Sequence, residues 1–201
     1  MPDTIVAKSE SNYILPPEGL HLAVCVDTID LGEKVESFQN EPKKLVHKIA
    51  IVWQIDEMNE KGKPFEVSQE YTLSFGELAA LRKLLTSWRG KSYTNDEVKN
   101  GVPLHKLVGV CCMLQVEHKT SGSGKTYAKV LSAMPVPKGM PKMEASAYTR
   151  WDGWAKRKAE YAQNAATFRS LSGSANGNGA SDDEFEGFPP PLEDQDDDLP
   201  F

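Results

Sequence analysis

Ser123-Gly124-Lys125-Thr126 has the residue types that end a phosphate-binding loop. That chemistry also needs a glycine five residues before Gly124, a strand before the loop and a helix after it. Lys119 stands at the earlier position, and a strand-like alternation follows Thr126. The stretch therefore reads as a hairpin turn, from which Lys119 and Lys125 can reach a phosphate. The carboxylate pairs Asp27/Asp30 and Asp56/Glu57 fall at strand ends, where solvated acids are ordinary. His21, His47, His105 and His118 have no nucleophile or metal partner at useful spacing. Cys25, Cys111 and Cys112 form no Cys-x-x-Cys, so they read as reduced thiols in strands. No catalytic residue, metal or cofactor is expected, and the chain is not read as an enzyme.

A second chemistry is dispersed along the chain. Sequence-tolerant binding of single strands needs cations along a groove and aromatic faces on which bases stack. The candidates are Lys43, Lys44, Lys48, Trp53, Lys61, Lys63, Tyr71, Lys119, Lys125, Tyr127 and Lys129. Arg89, Lys91 and Tyr93 make a second basic-aromatic patch. Arg150, Trp151, Trp154, Lys156, Arg157 and Lys158 make a third. Trp53 and Tyr71 also keep register with apolar neighbours, so core packing is an equal reading for them. Trp88 falls on an apolar helix face. The third patch either wraps DNA or packs its aromatics on the body.

The last six residues are Asp196, Asp197, Asp198, Leu199, Pro200 and Phe201. Such a segment has too little apolar surface to offset its own ordering. It ends in a phenylalanine that a merely solvating tail does not need. Burying that ring in a partner's pocket is worth about 1.5–3 kcal/mol, and its carboxylates suit Lys or Arg around the pocket.

The elements that must position these residues are legible from periodicity. The chain has 201 residues, 39% of them hydrophobic, enough for one modest core. Nine acids and no Lys or Arg lie beyond residue 170. A total charge of −6 therefore leaves the first 170 residues at +3, so any DNA site must come from local patches. No apolar run approaches the ~20 residues of a membrane span, and no signal peptide opens the chain. The expected place is the cytosol.

Residues 1–17 read as an arm. Strands are expected over 20–29, 45–55, 65–73, 107–118 and 127–134. In the first, Leu20, Leu22, Val24 and Val26 share one face. Ser74 with Glu77 predicts a capped helix carrying Leu78, Leu81, Leu84, Leu85 and Trp88, stopped at Gly90. Thr94 with Glu97 predicts a second cap. Three strands, a helical segment and two strands are the succession of an OB-fold. The fold class expected is mainly β, an OB-like five-stranded barrel over 18–138 with a helix between strands three and four. A basic-aromatic extension at 139–170, possible as a helix, and a disordered linker and acidic tail at 171–201 follow it.

Asp-Asp-Asp-Leu-Pro-Phe at 196–201 resembles the C-terminal tip of bacterial single-stranded-DNA-binding proteins. That resemblance implies recruitment of replication, recombination and repair proteins through Asp196–Phe201. Within the body, Val26–Gly32, Tyr71–Ser74, Ser87–Gly90 and Met134–Gly139 resemble phage replication proteins of a single-stranded-DNA-binding family. None of the bacterial family's usual barrel motifs is present. The reading is a phage-type protein that binds and protects single-stranded DNA without sequence specificity. Its tip would recruit a polymerase, helicase or recombinase. The alternative is an adaptor or recombination mediator that uses the tail and binds protein rather than DNA.

Overall fold

The computed structural model describes residues 14–37 and 42–173. Most of the arm, residues 38–41 and the chain beyond 173, including the tip Asp196–Phe201, lie outside the described residues.

The strands are β1 (Gly19–Glu36), β2 (Lys44–Met58), β3 (Pro64–Thr72), β4 (Cys111–Thr120) and β5 (Thr126–Met134). The helices are α1 (Ala80–Arg89), α2 (Asn95–Asn100) and α3 (Gly153–Gly173), with a short 3-10 helix at Leu104–Leu107. All strand pairs are antiparallel, in the order β3-β2-β1-β4-β5. This is one open sheet, and the expected closed barrel is corrected. The two edges, β3 and β5, share no ladder; Val130 N donates to the Gln69 side-chain oxygen at 3.4 Å. Helix α1 packs against both edge strands and sends Leu81, Leu84, Leu85 and Trp88 into the core between them.

That core takes one face of every strand. Ala23 and Cys25 from β1 meet Ile49, Ile51, Trp53 and Ile55 from β2, Val67 and Tyr71 from β3, and Leu114, Val116 and Val130 from β4 and β5. The face of β1 that carries Val24 and Val26, the apolar one by alternation, is buried as well: with Ile29, Leu31, Ala50 and Val52 they form a second cluster under Trp154 and Tyr161 of α3. Bulges at Cys25/Asp27 and Asp30/Gly32 shift the alternation, as an inserted residue does. They also let β1 run on to Glu36, past its predicted end.

Two helix starts test the cap readings. Thr94 Oγ1 accepts from Glu97 N at 3.2 Å and Glu97 Oε2 accepts from Thr94 N at 2.8 Å, a complete capping box. The Ser74/Glu77 cap does not form. Leu73 N still donates to His47 O and Ser74 N to Thr72 O, so the chain is tied to the sheet there. Helix α1 begins at Ala80 with no side-chain cap, which leaves Leu78 half exposed. The fourth strand likewise starts at Cys111, because Leu104–Leu107 coil into the 3-10 turn.

Helix α3 is held by Trp154, Arg157, Tyr161 and Ala165, one buried stripe at helical spacing. Among the described residues, no helix is long and apolar enough to cross a membrane.

Candidate nucleic-acid interface

The structure separates the predicted site residues into three groups. In the first, Trp53 is fully buried with its ring centroid 5.8 Å from that of Trp88, and Tyr71 and Tyr127 are buried as well. Trp154 is buried on the sheet-facing side of α3. Lys48 is buried with its Nζ 2.5 Å from Glu36, and Arg157 donates to Glu70 Oε1 at 2.5 Å. These six have no face to offer a base without local unfolding, so their expected role is corrected to core packing and internal pairing.

The second group is exposed but scattered. Lys43 and Lys44 lie at the start of β2, and Lys61 and Lys63 in the β2–β3 turn, whose backbone is fixed by Asn59 Oδ1. Lys119 pairs with Glu117 at 3.0 Å beside Lys125 and Lys129. Ser121 N donates to Lys125 O and Gly124 N to Ser121 O, which closes the hairpin turn read from the sequence. In the third patch, Arg150 makes two hydrogen bonds to Asp27, at 2.6 and 2.7 Å, and the Tyr148 hydroxyl donates to the same carboxylate. Burial and the Asp27 charge push the Tyr148 phenol up. Lys158 sits 3.8 Å from Asp30, and Arg169 pairs with Glu33. The segment packs on the sheet, with Trp151 and Lys156 left exposed.

In the third group Arg89 and Tyr93 are brought together, while Lys91 is exposed and lines neither cleft. Arg89 ends α1, and Gly90 takes the left-handed conformation (φ 70°) that stops the helix. Two clefts adjoin at Tyr93. One, about 390 Å³, is lined by Glu77, Arg82, Lys83, Thr86, Ser87 and Ser92 with Tyr93. The other, about 530 Å³, lies between α1 and the entry to β4, with Trp88, Arg89, Val110, Cys111, Pro135 and Lys142 in its wall. Arg82, Lys83, Arg89 and Lys142 against Glu77 make the lining cationic.

Each wall has a local cause. Trp88 Nε1 donates to Cys111 O at 3.0 Å, fixing α1 against β4. The Cys25 and Val110 backbones bond, which ties the β4 entry to β1. Cys111 Sγ donates to Met143 O at 3.0 Å, and this places Lys142 on the rim. Phe75 meets Tyr93 edge-on, with centroids 5.0 Å apart at 81°, and Arg82 lies over Phe75. The Arg89 guanidinium lies 4.6 Å from the Tyr93 centroid and donates to Glu97 Oε1 at 2.5 Å. The Arg89 bond, then the Thr94 backbone, pulls the Glu97 carboxyl down to about 2.

Of the groove residues, sequence reasoning reached Arg89 and Tyr93 but missed Arg82, Lys83 and Lys142. The first two stand off the leucine stripe of α1, so helical periodicity could have paired them with Arg89. Lys142 carries no such signal; only the fold of the segment after β5 brings it to the groove. No group of His, Cys, Asp and Glu suited to a metal ion occurs among the described residues. No family model matches the chain, and no curated protein matches it either, so a functional assignment rests on the geometry above.

Proposed function

We propose that this protein binds single-stranded DNA without sequence preference, laying the strand along the α1 groove past Tyr93. The observation that carries the proposal is the pair of adjoining clefts, cationic at Arg82, Lys83, Arg89 and Lys142 and aromatic where they meet. Cations along a groove hold the backbone and a central flat group holds bases, whatever their sequence. The sheet order, with α1 inserted between β3 and β4, supports an OB-like architecture in which the two edges approach without a ladder. The outer face of β1 and β2 is unsuited to phosphate: its carboxylates Asp27, Asp30 and Glu33 are engaged by the cations of residues 150–169. In this reading the protein serves phage DNA replication, recombination and repair in the cytoplasm of a bacterial host. Residues Asp196–Phe201 recruit a polymerase, helicase or recombinase.

The test is a tryptophan-fluorescence titration of the full chain with oligo-dT and with a hairpin duplex at fixed salt. Oligo-dT should bind more tightly, with affinity falling steeply as salt rises through counterion release. Arg82→Ala with Lys83→Ala should flatten that salt dependence. Equal affinity for duplex and single strand overturns the proposal. Removing Asp196–Phe201 should abolish capture of partner proteins while DNA binding stays the same or tightens. Val108 and Val110, at 49% and 41% exposure beside the larger cleft, favour a second reading as an adaptor that docks an apolar peptide there. Failure to bind oligo-dT with retained capture of partners would establish it.

A further inference from the structure

Among the described residues, Arg89 is the one cation of the groove held in an ion pair. Its NH2 donates to Glu97 Oε1 at 2.5 Å. Glu97 is itself fixed from two sides, since its Oε2 accepts from Thr94 N and its backbone N donates to Thr94 Oγ1. A phosphate approaching Arg89 would have to displace this carboxylate or lie beside it, and like charges repel at that range. A base carries no charge and meets no such barrier.

The geometry favours a base in a second way. The guanidinium covers one face of Tyr93, and the edge-on Phe75 flanks the ring. Tyr93 therefore serves as the back of the stack rather than its open surface. The Arg89 side chain keeps 28% of its surface exposed and lines the larger cleft. A guanidinium is planar, delocalised and weakly hydrated, and bases stack on it as they do on aromatic rings.

We infer that the base-stacking surface of the groove is the Arg89 guanidinium plane, backed by Tyr93 and held in orientation by Glu97, a positioning residue. This rests on the single-stranded-DNA reading above. It divides the groove's cations into two kinds: Arg89 takes a nucleobase, while Arg82, Lys83 and Lys142 take phosphates. The capping box that opens α2 acquires a second task, since the carboxylate that caps the helix also orients the platform.

The experiment uses the full chain, with Arg89→Lys, Glu97→Gln and Arg82→Ala/Lys83→Ala, each checked for folding by circular dichroism. Each is titrated with oligo-dT and with an abasic strand of equal length, over a range of salt. R89K keeps the charge and loses the plane. It should weaken oligo-dT binding by about five- to a hundredfold, the range one stacked base is worth. Its salt slope and its affinity for the abasic strand should stay at the wild-type values. E97Q should weaken oligo-dT binding by less, through the lost orientation of the plane. R82A/K83A should do the opposite, lowering the slope on both strands. Unchanged oligo-dT affinity in R89K, or equal losses on the two strands, overturns the inference alone. Wild-type protein that does not prefer oligo-dT to duplex overturns the DNA-binding reading and the inference with it.

Discussion

Glu70→Ala should loosen α3 from the sheet. Glu70 sits on β3 opposite Ala50, and its side chain is 3% exposed. One oxygen accepts from Arg157 NH1 at 2.5 Å and the other from the Tyr161 hydroxyl at 2.9 Å. Both donors belong to the buried stripe of α3. Removing the carboxylate takes from the buried Arg157 the acid it pairs with at 2.5 Å. Breaking a buried pair from one side costs about 3–5 kcal/mol. Loss of the tyrosine bond is contained within that range, because α3 can open locally and let water reach Arg157. At about 2–4 °C per kcal/mol for a chain of this size, the melting temperature should fall by roughly 6–20 °C. Urea unfolding followed by circular dichroism measures the loss, and amide exchange locates it on α3. Glu70→Gln, which keeps an acceptor, should fall between. Adding Arg157→Met to E70A should recover much of the stability, since a matched apolar replacement removes the buried cation as well. A loss under about 1 kcal/mol in E70A, or no recovery in the double variant, refutes the reasoning.

Three further expectations concern the groove and its supports. Gly90→Ala forces a left-handed residue, at about 1–2 kcal/mol, and sets a Cβ 2.8 Å from Pro135 Cγ. A urea midpoint unchanged from wild type would contradict it. The Glu97 carboxyl is held at about 2, below the ordinary 4.5. Its folded-state pKa is depressed, so its stabilising contribution is present above pH 4.5 and is lost as pH falls toward 2. NMR titration should place its midpoint near the lower value, and E97Q should remove that part of the acid dependence. Burial holds the Cys25 thiol up to about 12 and pushes Cys112 up as well. A thiol reagent at mildly alkaline pH should therefore modify half-buried Cys111 before the buried Cys25 and Cys112.

How much of this was legible from residues alone depended on the range of the interaction. Strand periodicity placed Ile49, Ile51 and Trp53 on one face of β2, and the structure keeps them there. The Thr94/Glu97 box was legible because a cap is a contact over three residues. The Ser74/Glu77 box has the same spacing and fails, because backbone bonds at Leu73 and Ser74 outweigh a local cap. The two-sided burial of β1 was not legible. It depends on α3, more than a hundred residues downstream, and on bulges that alternation does not register. Separations of 87 and 123 residues hid the pairing of Arg157 with Glu70 and of Arg150 with Asp27, so these cations of the third patch read as DNA contacts. Patterning found the Arg89–Tyr93 patch because five residues span it. The groove around that patch needed Lys142 and Cys111, which only the tertiary fold brings to α1.

The most direct test of where a strand lies is photo-crosslinking of the full chain to an iodouracil-substituted oligo-dT, with mass-spectrometric mapping of the attached residues. Crosslinks are expected at Tyr93 and at the adjoining walls of the two clefts, lost when excess unlabelled oligo-dT is added. Crosslinks confined to the β2–β3 turn, to the β4–β5 turn or to the exposed side of α3, with none along the α1 groove, would contradict it.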